Sequence, residues 1–164
     1  MAGSEAVSEM DPGQFRAVLG HFASGVVLVT GMHGDSPAGF TCQSFFSLSL
    51  DPPLVALAPS KSSTSWPRVS STGSICANVL ASDQEPLART FARRSVDKFA
   101  GVGWSPAANG APHVHGALAW IDCEVHEVHE AGDHHLVVAR VVELESGPGQ
   151  PLVFYRGGFG SFMP

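Results

Sequence analysis

Apolar and polar positions change period several times along the chain, and each change marks an element. Asp11 followed by Pro12 reads as a helix start, a capping carboxylate and then the proline favoured in the first turn. Phe15, Val18, Leu19 and Phe22 follow at i, i+3, i+4 and i+7, which predicts one buried helical stripe ending near Gly25. VVLVT at 26–30 is a continuous apolar run short enough for a buried strand, and the turn-forming MHGDSPAG predicts a hairpin into the next one.

That next stretch, GFTCQSFFSLSLDPPLV at 39–55, alternates. Thr41, Gln43, Ser47 and Ser49 are polar, while Cys42, Phe46, Leu48 and Leu50 are apolar, with Phe45 breaking the polar row. One face is expected against a core. The other carries small hydroxyls and an amide where a surface strand more often carries Lys, Glu and Arg. Pro52 and Pro53 stop the strand, because neither can donate to a ladder. LVALAP resumes as a strand, and 60–72 is a Ser/Thr-rich loop leading to a short helix. SICANVL is strand-like, and Ser82 with Glu85 predicts a capping box before a helix with Leu87 and Phe91 on one face. Residues 93–116 are irregular. ALAWIDCEV then reads as a strand turned back at Ala131-Gly132-Asp133 into HHLVVARVVELE, and LVFYR precedes a glycine-rich end. Six or seven strands joined by hairpins, with two or three short helices, predict a mainly antiparallel β-barrel or sandwich with helical caps. Residues 1–10 are expected to be a disordered tail and 11–164 a single domain.

Composition narrows the partners. Charged residues are 15% of the 164 and apolar residues 44%, a shortage of charge that predicts surface buried against another subunit. A net charge of −6 argues against nucleic acid or an anionic membrane as the main partner. The N-terminus shows no signal-peptide pattern, and no apolar run approaches membrane-spanning length, so a soluble, cytoplasmic protein is expected. Cys42, Cys76 and Cys123 are far apart in strand-like runs and read as buried reduced thiols.

Five groups of residues carry chemistry. Thr41, Gln43, Ser44, Ser47 and Ser49 suit hydrogen bonding to a planar heterocycle, or else form a solvated or interface strand. KSSTSW at 61–66 suits an anion such as phosphate, or is an N-capped loop. Arg93, Arg94 and Lys98 add charge to the same anion, or simply complement a helix C-terminus. His134 and His135 must point to opposite faces of a strand, so one can orient a substrate or donate a proton; the histidines form no metal-ligand spacing, and no metal site is expected. Tyr155, Arg156 and Phe159 suit stacking and phosphate contact, or make an aromatic-plugged turn. There is no G-x-G-x-x-G, P-loop, G-x-S-x-G or H-E-x-x-H motif, so an enzyme built on this chain would draw its chemistry from a cofactor.

FRAVLGHFASGVVLVT, GFTCQSFFSLSLDPPLVALAPSKSSTSW, ICANVLASDQ, FARRSVDKFAGVGW, GALAWIDCEV, AGDHHLVVARVVELE and PLVFYRGGF resemble, in this order, the flavin reductase-like family of FMN-binding split barrels. The resemblance spans residues 12–160 and is strongest to the short reductase components of two-component flavin monooxygenases. It implies a homodimer of antiparallel, Greek-key-like split β-barrels with short capping helices. It further implies an NAD(P)H:flavin oxidoreductase that uses NADH or NADPH to reduce FMN or FAD. The reduced flavin would pass to a separate monooxygenase acting on aromatic, phenolic or steroid-derived substrates.

The same resemblance implies roles for residues. Thr41, Cys42, Gln43, Ser44, Ser47 and Ser49 would contact the isoalloxazine and ribityl chain. Lys61, Ser62, Ser63, Arg93 and Lys98 would approach the ribityl chain or phosphate. His135, Tyr155, Arg156 and Phe159 would line the nicotinamide side. The family's GDH triplet is matched by Gly132-Asp133-His134, which makes His134 the first choice for the imidazole facing the flavin and His135 the second. The rival readings are a split barrel that keeps its flavin and acts directly on a small substrate, and a non-catalytic flavin-binding module.

Overall fold

The computed structural model describes residues 9–94 and 97–164. Residues 1–8 of the expected tail lie outside the described residues, and Glu9 and Met10 are exposed coil. The first helix, α1 (Pro12–Leu19), starts as predicted: the Asp11 carboxylate accepts the Gln14 N–H at 2.8 Å. Its stripe is not buried. Phe15, Val18, Leu19 and Phe22 are 53%, 60%, 54% and 84% exposed. Periodicity reveals that a helix face is apolar; it does not reveal whether the same chain covers it.

After the two-residue β1 (Ser24–Gly25), β2 (Val27–His33) turns through Gly34 and Asp35 into β3 (Ser36–Cys42), and Gly34 takes the positive φ of +60° that this tight turn needs. The predicted hairpin therefore forms. The alternating stretch is not one strand, however. It breaks at Gln43-Ser44, and β4 (Phe45–Ser49) pairs elsewhere, with β5 (Leu54–Leu57). The break shifts the pleat. Phe45 packs on the core, while Phe46, Leu48 and Leu50 are 51%, 45% and 94% exposed, contrary to the expected core face.

The chain continues through α2 (Trp66–Val69), β6 (Ser74–Val79), α3 (Glu85–Phe91) and the small ribbon of β7 (Trp104–Pro106) with β8 (Pro112–Val114), which orders part of the stretch expected to be irregular. The cap of α3 also differs from expectation. Gln84, in a single 3₁₀ turn, accepts the Ala81 N–H at 2.9 Å, and the Ser82/Glu85 pair is not used. Two long strands, β9 (Ala119–Ala131) and β10 (His134–Ser146), form the second predicted hairpin, and β11 (Leu152–Tyr155) pairs with β12 (Gly158–Ser161) and β1.

Seven strands form one antiparallel sheet in the order β3-β2-β6-β9-β10-β5-β4. Its two edge strands are consecutive in the chain and only Gln43-Ser44 joins them. Laid flat, seven strands would separate the edges by about 29 Å, whereas two linking residues reach about 10 Å. The sheet must curl until its edges meet without pairing, which is a split barrel.

Inside it pack Val27, Val29, Phe40, Val55, Leu57, Ile75, Cys123, Val137 and Ala139, with Trp66 of α2 edge-on to Phe40 at 6.2 Å. Outside, Val26 and Leu28 meet Ala88 and Phe91 of α3 together with Val114 and Leu152. The run VVLV is continuous because both faces of β2 are buried. Gly31 lets α2 lie directly on β2, since a Cβ there would fall 2.1 Å from the Val69 carbonyl oxygen.

Candidate functional site

The crossing at Gln43-Ser44 leaves a gap in the barrel wall, and a cavity of about 290 Å³ opens beside it. Thr41, Cys42, Gln43 and Ser44 form one wall, the loop Ala58–Ser60 and Ser63–Ser65 a second, the end of α3 with Arg93, Arg94 and Lys98 a third, and His134 the rim. Eight of the predicted site residues thus come together: Thr41, Cys42, Gln43, Ser44, Ser63, Arg93, Lys98 and His134. Three cationic side chains line the cavity and, among the described residues, no carboxylate does, although the chain carries a net charge of −6. That is an environment for an anion.

Several of the small polar groups already have partners. Thr41 Oγ1 donates to the Ala88 carbonyl at 2.6 Å, fastening β3 to α3. Ser44 Oγ donates to the Ala58 carbonyl and accepts the Ala58 N–H, both at 3.1 Å, and lies 3.3 Å from Cys42 Sγ. Ser63 Oγ accepts the N–H groups of Ser65 and Trp66, so the amides that open α2 are satisfied within the chain and are not held for an anion. The Gln43 side chain is exposed and has no hydrogen-bond partner among the described residues. It is the polar group of the crossing left to read a ligand edge.

Lys98 is a clamp. Its ammonium donates to the Gly39 carbonyl (3.1 Å), Ser65 Oγ (2.9 Å) and the Phe91 carbonyl (2.9 Å), joining β3, α2 and α3 where they meet the cavity. Burial, and then the nearby Arg68 charge, push its pKa down. With its three N–H groups used, it contributes charge rather than a new hydrogen bond. Arg94 is tethered to Ser62 Oγ at 3.2 Å, and Ser62 in turn meets Ser60 at 2.9 Å.

His134 Nδ1 lies 2.7 Å from Asp133 Oδ1, which orients the ring. The hydrogen bond from His134, and then its charge, hold the Asp133 carboxyl below the ordinary carboxylate range. Strand alternation puts His135 on the face of β10 that carries Val137 and Ala139 into the barrel. Its Nδ1 is buried without a partner among the described residues, and it does not line the cavity.

The remaining predicted residues stand outside this cavity. Ser47 and Ser49 lie along β4. Lys61 pairs with Glu130 at 3.6 Å, and Ser62 sits behind the wall. Tyr155, Arg156 and Phe159 belong to the β11–β12 hairpin, where Phe159 packs beneath α3 with the Arg89 guanidinium 5.0 Å from its ring centre. Tyr155 meets His21, and the Arg156 N–H donates to the Gly20 carbonyl. Arg94, Thr64 and Ser65, named with the candidate anion groups but given no role by the resemblance, also line the cavity; Ser60 was not foreseen, and its pairing with His134 across a β-bridge brings the loop to the rim.

Two further cavities adjoin the first. One of about 680 Å³ shares Thr64, Ser65 and Lys98 with it. Another of about 580 Å³, between Phe22–Gly25 and Gln43–Phe46, shares Gln43 and Ser44. A flat heterocycle with an anionic tail fits this arrangement: the tail toward the arginines, the polar edge of the ring toward Gln43.

Comparison with known proteins agrees with that chemistry. The family model described as "Flavin reductase like domain" matches residues 19–163. The chain is 44% identical over 160 residues to the protein named "Flavin-dependent monooxygenase, reductase subunit HsaB" of Mycobacterium tuberculosis, a match covering 96% of this chain and 86% of that one. The crystal structure of nitrilotriacetate monooxygenase component B from Mycobacterium thermoresistibile has a TM-score of 0.90 at 45% identity, covering 93% of this chain and 87% of that one. SgcE6 of Streptomyces globisporus, an NADH:FAD oxidoreductase solved with NAD and FAD fragments, has a TM-score of 0.89 at 37% identity, covering 98% of each chain.

Proposed function

We propose that this chain, which belongs to the flavin reductase-like domain family, is an NAD(P)H:flavin oxidoreductase that delivers reduced FMN or FAD to a separate monooxygenase in the cytoplasm. The observation that carries this reading is the cavity at the strand crossing: Arg93, Arg94 and Lys98 line it, and among the described residues no carboxylate does and the Gln43 amide has no partner. Bound flavin supplies the hydride acceptor.

The chain itself binds and orients. Arg93 and Arg94 attract the phosphate, and Lys98 holds β3, α2 and α3 in register around it. Gln43 hydrogen-bonds the polar edge of the ring. His134, steered by Asp133, presents Nε2 at the rim, where it can hold a proton near charge that develops on the ring. The adjoining 580 Å³ cavity gives a nicotinamide a place beside the ring, next to the segment that bears the β11–β12 turn. Ser47, Ser49, Lys61, Ser62, His135, Tyr155, Arg156 and Phe159 serve from beyond the 290 Å³ cavity.

The exposed apolar side chains Phe15, Val18, Leu19 and Phe22 on and beyond α1, and Phe46, Leu48 and Leu50 on and just after β4, support a homodimer that buries them. Light scattering should give twice the mass of the chain, and Phe22→Asp with Leu19→Asp should give the monomer. No helix among the described residues is long and apolar enough to cross a membrane.

Loss of NADH absorbance with and without added FMN or FAD tests the activity. Turnover by nearly colourless protein only when flavin is added is the expected result. Yellow protein that turns over without added flavin would favour an enzyme that keeps its cofactor. Flavin binding with no NADH or NADPH consumption would leave a non-catalytic flavin module.

A further inference from the structure

Three side chains that the flavin cavity does not use converge beneath β8. Cys76 on β6 and Asp122 on β9 are direct cross-strand partners, and His113 comes down from β8 above them. Their thiol sulfur, ring nitrogen and carboxylate oxygen lie within 4.8 Å of one another. Cys76 is fully buried, Asp122 is 2% exposed and the His113 side chain 19% exposed, so the cluster is closed on the barrel side and reachable past His113.

The histidine is held by its neighbours in the chain. The Val114 N–H donates to Asn78 Oδ1 at 2.7 Å, and Thr30 Oγ1 donates to the Pro112 carbonyl at 2.6 Å, so buried polar groups pin β8 on both sides of His113. Its ring stacks on Trp120 at 5.6 Å with 23° between planes, and Nε2 sits 2.8 and 2.9 Å from the two oxygens of Asp122. A buried carboxylate is costly unless fully paired, and among the described residues the only charge partner of Asp122 is the single His113 ring.

We propose that Cys76, His113 and Asp122 form a zinc site that staples the β7–β8 ribbon to the main sheet. Thiolate, imidazole and carboxylate are zinc donors, and three protein ligands leave a fourth tetrahedral position for water on the open His113 side. Zinc–ligand bonds of about 2.0–2.3 Å put tetrahedral donors roughly 3.3–3.7 Å apart, so the His113–Asp122 pair has to open by well under 1 Å. Zn²⁺ with one thiolate and one carboxylate sums to zero charge in the buried site. On binding, the Cys76 thiol proton leaves to solvent and the imidazole N–H moves from Nε2 to Nδ1. No electrons are transferred. The set is hidden in the sequence because its members stand on three different strands, with no short ligand spacing.

Titration of chelator-treated full-length protein with Co²⁺ tests this without reference to flavin reduction. The expected result is one equivalent per chain with a thiolate-to-cobalt charge-transfer band, displaced by one equivalent of Zn²⁺. Cys76→Ala should abolish the band, and His113→Ala should weaken zinc binding beyond the roughly 10–100-fold that loss of an outer partner costs. His126→Ala with His129→Ala, which removes exposed imidazoles around Glu127, should leave the band intact. Absence of the band in the unaltered protein overturns the proposal even if the Cys76 variant does not fold. So does metal affinity unchanged in the His113 variant, or binding lost only in the His126/His129 variant.

Discussion

Replacing Lys98 with Met keeps the length of the side chain and removes the ammonium. Three hydrogen bonds of 2.9–3.1 Å disappear, two of them to the carbonyls of Gly39 and Phe91. A hydrogen bond from a charged donor contributes about 1.5–3 kcal/mol, and an ammonium no longer drawn from water recovers part of that sum, so the net cost is about 2–4 kcal/mol. For a chain of this size each kcal/mol lowers Tm by about 2–4 °C, giving a fall of roughly 4–16 °C. The end of α3 that carries Arg93 and Arg94 would also lose its tie to β3, so the flavin KM should rise about tenfold or more while the NADH KM changes little. Calorimetry and steady-state kinetics at saturating NADH read both quantities. An unchanged Tm with weakened flavin binding would refute the clamp and make Lys98 a direct phosphate ligand; an unchanged Tm with unchanged kinetics would refute both roles.

Arg93→Ala and Arg94→Ala should each raise the FMN KM about two- to fivefold, as befits exposed cations. The effect should fade at high salt and vanish with riboflavin, which lacks the phosphate; an equal effect on riboflavin would remove the arginines from the phosphate site. Alkaline pH should destabilise the chain. Burial raises the thiols of Cys42 and Cys123, the latter from 9.0 to about 12, so above pH 9 the unfolded chain loses thiol protons that the folded one keeps. Stability is then full below pH 9 and falls by about 1.4 kcal/mol per pH unit for each such thiol, over pH 9 to about 12 for Cys123. Denaturant titrations at rising pH check the slope, and Cys123→Ala should reduce it by one thiol's share. Gly31→Ala should cost about 3 kcal/mol or more, because its Cβ would meet the Val69 backbone and no flexible side chain is there to yield; a Tm within a few degrees of the parent would show that α2 can move away.

The sequence by itself determined the elements whose signals are local. Asp11-Pro12 starts α1, Gly34 and Gly132 turn the two hairpins, and paired prolines end β4, because caps, positive φ and a missing N–H act within a few residues. It also brought the site into view through the unusual polar row at 41–44 and the cation cluster after α3. Only the tertiary structure decided what those polar groups do. Thr41, Ser44 and Lys98 satisfy carbonyls and amides up to 59 residues away, a use that no local pattern encodes, whereas Ser63 makes the local cap the sequence allowed. The apolar stripe of α1 shows the same divide. Its period is written in the sequence, but whether a partner surface lies within reach depends on where the curled sheet leaves the helix, and among the described residues no such surface covers it.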